Sequence, residues 1–352
     1  MTETPLRADA PLVDAVRAIE RSRRRIAIVT DSDGRLLGTL TDGDVRRCLL
    51  AGGTLETPLS RAMNSHPIVA ESGSSDAHLL GLMRKGNIMA VPLVDPAGRF
   101  QRLVHLSDLT DAHGHAEPAG FAFAVIMAGG EGTRLRPMTD TVPKSMVDIG
   151  GVPLLERQID RLVRAGLTRV YISVNYLSHV IEDHFGDGRA FGVDVLYLRE
   201  EEKLGTAGAL TLLPEEPATS IIVMNGDILT TFDLGNLHRY HDQHNAFVTV
   251  AAVDYRINVP YGVICADGAY VTELQEKPSQ RFLCNAGVYA VSPETLQMLP
   301  RSRHFDMTAL IEACIRERHR VAVFPVHEYW SDIGTIDDLE RARAFLREQP
   351  EP

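Results

Sequence analysis

Apolar positions along this chain follow two successive patterns. Up to about residue 112 the same short motif is written twice. Leu12, Val16 and Ile19, then Leu79, Leu82 and Met83, fall at helical spacing and predict two amphipathic helices. Each leads into an apolar strand with an Asp/Gly turn: Ile26-Ala-Ile-Val-Thr-Asp-Ser-Asp-Gly-Arg-Leu36, and more loosely Met89-Ala-Val-Pro-Leu-Val-Asp-Pro-Ala-Gly-Arg-Phe100. Asp31 matches Asp95, Gly34 matches Gly98 and Asp44 matches Asp108, each 64 residues apart. A second strand and a short helix complete both copies, about 1–60 and 61–112. Neither is large enough to bury its apolar face alone, so the two are expected to pack together as an α+β module.

The segment 113–120 is small, polar and turn-prone and reads as a linker; its His113 and His115 have no nearby metal-binding partners. From residue 121 the period changes. An apolar run of strand length, 121–127, precedes a glycine cluster. Residues 152–165 predict a helix through Leu154, Leu155, Ile159, Leu162 and Val163, ended by Gly166. Strands at 169–174, 193–198 and 220–227, the last ending in the carboxylate of Asp227, alternate with a helix running to about Phe185, and an amphipathic helix closes the chain at 341–347. Alternation of this kind predicts an α/β fold with a doubly wound, mostly parallel mixed sheet over 121–352.

With 352 residues, two such units suit the length. The formal charge of −11 is uneven: 14 Lys/Arg against 15 Asp/Glu before residue 121, but 22 against 32 after it. That balance argues against general nucleic-acid binding, while leaving room for small phosphorylated ligands held by a few local cations. No uninterrupted apolar stretch approaches a membrane span, and a cytoplasmic protein is expected. Cys48, Cys265, Cys284 and Cys314 lie far apart without CxxC spacing, so neither a disulfide frame nor a zinc site is indicated.

The chemistry concentrates after the 121–127 run, in Ala128-Gly-Gly-Glu-Gly-Thr-Arg-Leu-Arg-Pro137. A buried strand feeding a glycine-rich turn presents backbone N–H groups to phosphate. Gly129, Gly130 and Gly132 permit close approach, and Thr133 and Arg134 add a hydroxyl and a bidentate cation. The loop lacks GxxxxGK[ST], which argues against a P-loop NTPase. Arg134 also stands where a dinucleotide fold needs a small residue, which argues against a nicotinamide dehydrogenase.

The loop together with Pro143-Lys-Ser-Met-Val-Asp-Ile-Gly-Gly-Val-Pro153 resembles the signature of sugar-1-phosphate nucleotidylyltransferases, and the resemblance extends over about 121–345. It implies a Rossmann-like nucleotidyltransferase fold and in-line attack of a sugar-1-phosphate oxygen on the α-phosphorus of an NTP. The nucleophile is already anionic, so alignment and charge neutralisation suffice. By resemblance, Asp227 and Asp332 are the Mg²⁺ ligands, although either one alone reads more readily as a turn-capping Asp at a strand end. Arg134 and Lys144 are assigned to the triphosphate and Lys277 to the sugar phosphate. Gly262, Glu276 and Asn285 are assigned to sugar hydroxyls. Ala128, the loop glycines, Thr133 and Gly205–Thr206 are assigned to the nucleotide. An acidic residue in the run Glu200-Glu-Glu202, taken as Glu200, would accept from guanine N1–H and N2–H; the same run also reads as a solvated acidic stretch. The whole is most similar to guanylyltransferases acting on hexose-1-phosphates.

The front module resembles a tandem pair of cystathionine β-synthase (CBS) domains, on Gly38-Thr-Leu-Thr-Asp-Gly-Asp-Val45 and the weaker Leu103-Val-His-Leu-Ser-Asp-Leu109. The resemblance implies an adenine-nucleotide site using Thr41, Asp44 and Asp108, with His105 standing where a hydroxyl residue is expected; self-association is implied too. A structural reading, in which Asp44 and Asp108 cap the helices they open, stays beside it. A CBS pair before a transferase of this kind is similar to the glucosamine-1-phosphate guanylyltransferases of bacterial legionaminate synthesis. GTP with glucosamine-1-phosphate is therefore the expected substrate pair. Mannose-1-phosphate, uridylyl or other nucleotidyl specificity, and a catalytically inactive nucleotide-sensing protein remain alternatives. His238, His241 and His244, three apart on an expected helix, are read as exposed histidines rather than metal ligands.

Overall fold

The computed structural model describes residues 4–22, 25–86, 88–109, 120–301 and 303–348. Except for Gly120, the expected linker with His113 and His115 lies outside the described residues. The chain divides into two compact units, residues 1–115 and 116–352.

In the front unit each copy builds one three-stranded sheet. Leu6–Arg7, Ile26–Thr30 and Leu36–Thr41 form the first, and Ala70–Glu71, Ala90–Val94 and Phe100–His105 the second. In both, the short first strand runs parallel to the second, which pairs antiparallel with the third. The helices Leu12–Arg21 and Asp76–Gly86 bury Leu12, Val16 and Ile19, and Leu79 and Met83. The two Asp/Gly turns are made alike. Asp31 Oδ1 accepts from the N–H groups of Asp33 and Arg35, and Asp95 Oδ1 from those of Ala97 and Arg99. Gly34 and Gly98 take φ of +80° and +76°, which favour glycine. The copies then join through these turns. Leu36 N–H donates to Gly98 O (3.0 Å) and Phe100 N–H to Gly34 O (2.9 Å). Ile26, Ile28 and Leu103 are buried together between them.

The back unit carries a seven-stranded sheet in the order Val321–Val326, Val248–Asn258, Ser279–Val291, Ile221–Asn225, Ala124–Met127, Arg169–Val174, Asp194–Arg199. Only Ser279–Val291 runs against the others. The central strands are apolar on both faces because each face is covered. Ile126 and Ile172 pack with the helix residues Leu155, Ile159 and Leu162 on one side, and Val125 and Tyr171 with Met307 and Leu310 on the other. Helix Leu154–Arg164 starts two residues inside its expected bounds, and the 121–127 run pairs only from Ala124. Gly205 and Thr206, assigned to the nucleotide by resemblance, open the helical turn Gly205–Gly208. Two small ladders were not anticipated: the hairpin Val263–Asp267 with Tyr270–Gln275, and Ile228–Thr230 with Trp330–Asp332. Among the described residues no helix is long and apolar enough to cross a membrane, and all four cysteines are free thiols.

His241 departs from the exposed position expected of it. His241 is 2% exposed, not a surface group, on the inner side of helix Leu234–Gln243. Its Nδ1 lies 2.8 Å from Thr249 Oγ1 and its Nε2 3.0 Å from Ser292 Oγ, so the ring links helix to sheet. Burial pushes its pKa down to about 4, against a smaller opposing effect of Asp242. The unfolded chain therefore binds the extra proton first as pH falls, and this ring's share of stability declines from pH 6.5 towards 4. The full loss is on the order of 3 kcal/mol. In urea unfolding between pH 7 and 4, His241→Asn should flatten that part of the stability curve; an unchanged slope would contradict the assignment.

Candidate active site

The parallel strands Ala124–Met127, Arg169–Val174 and Ile221–Asn225 place their carboxyl ends on one edge of the sheet, where open α/β sheets present loops to ligands. Ala128 N–H donates to Ser173 O (2.9 Å), which anchors the start of the glycine loop. At Gly129 a Cβ would come within 3.1 Å of Glu200 Oε1. At Gly132, where φ is +61°, it would lie 2.8 Å from Lys144 Cβ and 2.9 Å from Thr139 Cγ2. A side chain there would drive Lys144 out of place. Gly130 faces open space, with nothing within 4 Å of its ideal Cβ. Thr133 and Arg134 begin the short turn Thr133–Leu135 and are exposed, while Leu135 is buried with Ile333.

Asp227 and Asp332 are 105 residues apart in sequence, and backbone pairing closes that gap. The strand Ile221–Asn225 ends in Asn225-Gly226-Asp227, with Gly226 N–H donating to Met127 O at 2.9 Å. The next residue, Ile228, stands opposite Asp332 in the small antiparallel ladder, and Ile333 N–H donates to Asp227 O (2.9 Å). The Lys144 ammonium pairs with Asp227 Oδ2 and lies 3.6 Å from Asp332 Oδ1. Burial first, and then the neighbouring Asp227 charge, raise the Asp332 carboxyl above its ordinary range, opposed by Lys144 and Arg134. Arg134 is close by: Nη1 lies 3.6 Å from the ideal Cβ position at Gly334, which is itself 3.5 Å from Asp332 Oδ1. Asp227 Oδ1 and Asp332 Oδ1 are buried oxygens with no hydrogen-bond partner. Two carboxylates, each with a buried oxygen that accepts no hydrogen bond, are a donor set that suits a hard divalent cation.

Residues 123–349 match the nucleotidyl transferase family model, and residues 3–51 match the CBS domain model. The chain belongs to the nucleotidyl transferase family. A mannose-1-phosphate guanylyltransferase of Mycobacterium tuberculosis is 30% identical over 233 residues, covering 63% of this chain and 64% of that protein. The mannose-1-phosphate guanyltransferase beta-B of Xenopus laevis is 32% identical over 225 residues, 61% of this chain and 62% of that protein. The chain thus spans less than two thirds of the length of these relatives. A solved Bacillus anthracis structure, described as a glucose-1-phosphate thymidylyltransferase, shares the fold with a TM-score of 0.52 at 22% identity. That match covers 65% of this chain and 97% of the other.

In the nucleotidyl transferase unit, the other residues singled out from sequence fall into two groups. Of those expected at the nucleotide, Glu200 is tied to its surroundings. Its Oε1 accepts from the Ser173 hydroxyl, its Oε2 from Leu204 N–H (2.8 Å), and its carbonyl from Asn175 Nδ2 (2.8 Å). Glu201 and Glu202 are exposed. Lys203 pairs with Glu131, linking this segment to the glycine loop. Gly205, at φ +78°, abuts Asp306, whose Oδ1 would be 2.6 Å from a Cβ. Asp306 Oδ1 accepts from Thr206 N–H (3.1 Å) and Oγ1 (3.4 Å), and Thr206 Oγ1 in turn accepts from Met307 N–H (2.8 Å).

Of those expected at the sugar, Gly262 and Glu276 adjoin: a Cβ at 262 would lie 3.2 Å from Glu276 Oε2. Glu276 and Lys277 are exposed, and Lys277 has φ +45°. Asn285 donates to Tyr289 Oη (2.8 Å) and accepts from Gly287 N–H (3.0 Å), and Gly287 packs against Asn225 beside Asp227. Among the described residues, no hydrogen bond or ion pair joins Lys277 to Asp227 or Asp332. In the front unit, Thr41 N–H and Oγ1 both donate to Asp44 Oδ2, at 2.8 and 2.7 Å, and Arg47 pairs with the other oxygen. In the second copy His105 N–H donates to Asp108 Oδ2 (2.9 Å). Both aspartates thus close the turns that open their helices.

Asp306 went unnoticed in the sequence. It lies 100 residues from Thr206 in a segment without glycine or motif spacing, and only the Gly205 cradle betrays it. As it fixes the Gly205–Thr206 turn, Asp306→Ala should lower stability by about 1–2 kcal/mol and raise the KM for nucleotide several-fold with a smaller change in kcat. Asp306→Asn, which keeps the acceptor, should restore most of both. Steady-state kinetics with thermal unfolding would check this, and equal kcat and KM effects would count against it.

Proposed function

We propose that this protein is a sugar-1-phosphate guanylyltransferase, joining GTP and a hexose-1-phosphate to give a GDP-sugar and pyrophosphate. The observation that carries this reading is the meeting of Asp227, Asp332 and Lys144 beside the glycine loop. The printed names of the curated relatives support guanine and a hexose-1-phosphate. For the sugar, the CBS-plus-transferase arrangement favours glucosamine-1-phosphate, while the relatives' names favour mannose-1-phosphate as the second reading.

Asp227 and Asp332 would hold Mg²⁺, whose chemistry is to neutralise phosphate charge and orient the α-phosphate. The glycine loop, from Ala128 through Gly129, Gly130 and Gly132 to Thr133, offers backbone N–H groups to the triphosphate, and Arg134 adds a bidentate cation. A sugar-phosphate oxygen, already anionic, forms the new bond to the α-phosphorus. The α–β bond breaks, and its electron pair leaves with pyrophosphate. No proton need move, so the chain supplies alignment and positive charge rather than a general base. Glu200 and the Gly205–Thr206 turn form the base side; Glu200 keeps acceptor capacity beyond its two present bonds. Gly262, Glu276 and Asn285 take the sugar hydroxyls and Lys277 its phosphate.

We read 1–112 as a tandem CBS pair that binds an adenine nucleotide through Thr41, Asp44 and Asp108, 113–120 as a linker, and the full protein as a homo-oligomer. Asp44 would have to exchange its capping bonds for ribose hydroxyls on binding.

A pyrophosphate-release assay of four NTPs against glucosamine-, mannose- and glucose-1-phosphate tests the reaction. GTP with one of the first two should be fastest. Asp227→Asn should reduce turnover at least about a thousand-fold with the fold intact. Release with no substrate pair would favour an inactive, nucleotide-sensing protein. Lys277→Ala should raise the KM for sugar phosphate tenfold or more, on the order of one charge-assisted phosphate contact, while leaving that for GTP nearly unchanged. Equal rises would remove Lys277 from the sugar-phosphate site.

A further inference from the structure

We propose that Lys144 is the internal counter-ion of Asp227 and Asp332 in the free protein, and that it yields this place when a divalent cation arrives together with nucleotide. The inference rests on the metal reading given above and deepens it into an order of binding.

The geometry supplies the argument. The ladder between Ile228–Thr230 and Trp330–Asp332, with the Ile333 N–H bond to Asp227 O, holds the two aspartates' backbones side by side, so only side-chain rotation can ease the repulsion between their carboxylates. The Lys144 side chain, 12% exposed, reaches both: it pairs with Asp227 Oδ2 and stands 3.6 Å from Asp332 Oδ1. Its stem is backed by Gly132 and its Cα lies in the short turn Lys144–Met146, so the base of the side chain is fixed and any displacement of the ammonium has to come from its outer torsions. One ammonium supplies a single charge to two carboxylates and leaves Asp227 Oδ1 and Asp332 Oδ1 without hydrogen bonds. The free site is therefore neutralised in part.

An incoming dication has to displace a resident positive charge lying within a few ångströms of its own position, where repulsion is only weakly screened. A bare cation gains little from the exchange. A cation carried by a triphosphate brings new partners for the displaced ammonium, and lysine is suited to this as a mobile point charge for phosphate. Lys144 thus serves two sites in turn: carboxylates in the free protein, triphosphate in the loaded one.

Mn²⁺ titrations of the full-length chain without nucleotide, read by electron paramagnetic resonance of the free ion, test this. Lys144→Gln should bind Mn²⁺ about tenfold more tightly than the unaltered chain, or better. Lys144→Arg, which keeps the charge, should stay within about threefold of it. Adding Asp227→Asn to Lys144→Gln should abolish the gain. Thermal unfolding verifies that each variant folds, and Mn²⁺ should raise the melting temperature of Lys144→Gln more than that of the unaltered chain. Unchanged or weaker Mn²⁺ binding by Lys144→Gln overturns the proposal, as does a gain that survives Asp227→Asn. The same titration with GTP separates the two levels. If the unaltered chain binds no Mn²⁺ even with GTP, the metal reading fails and this inference falls with it. If Mn²⁺ with GTP binds normally while Lys144→Gln changes nothing without nucleotide, only the inference falls.

Discussion

Two like charges held side by side at the edge of a sheet are the constraint around which the back unit is organised. Asp227 follows the central strand directly, and Asp332 reaches it through three residues of antiparallel pairing in which Ile228 faces Asp332. Fixing both carboxylates on backbone costs free energy in repulsion and desolvation, visible in the raised Asp332 carboxyl. Lys144 offsets part of that cost. The arrangement persists because the surrounding packing determines it: Ile333, Leu229 and Leu135 are buried in one cluster behind the site. Without this packing the chain would relax by separating the charges.

The glycine loop is shaped by the same neighbourhood. Gly132 is small because Lys144 passes against it, and Gly129 because Glu200 and Asn175 do. Gly226 is small because Met127 O lies 2.8 Å from where its Cβ would be. These contacts lock the ends of parallel strands to one another, so the loop is held by packing as well as by its own turn. Gly130 alone faces open space, which leaves it as the place where a ligand can approach backbone closely.

The front unit shows how repetition substitutes for size. Each copy has a small core of its own, Leu12 to Leu59 in one and Ala70 to Val104 in the other, and a third small cluster forms only where the copies meet. The Asp/Gly turns that shape each copy also exchange the hydrogen bonds that join them. One element thus closes a turn and builds an interface, which explains why the turns are the best-kept part of the repeat.

Hydrophobic period, turn residues and the glycine-rich motif were legible without coordinates, because each acts over a few residues. The repeat at an offset of 64, the strand 169–174 and the glycine-rich loop after the strand 124–127 all follow from such local signals. The family resemblance pointed to Arg134, Lys144 and Asp227 as site candidates, and the last two are neighbours in the fold. What tertiary structure alone decided are the meetings across long stretches of chain: Asp227 with Asp332, Thr206 with Asp306, His241 with Thr249 and Ser292. Spacing along a chain says nothing of these. His241 carried no sign of burial because its helix is polar enough to read as exposed, and only the sheet beneath it supplies the hydroxyls that satisfy the ring. Sequence fixes which groups exist and the local shape of the segments bearing them; which charges and hydroxyls become neighbours is settled by strand order and register, since these depend on the packing of the whole unit.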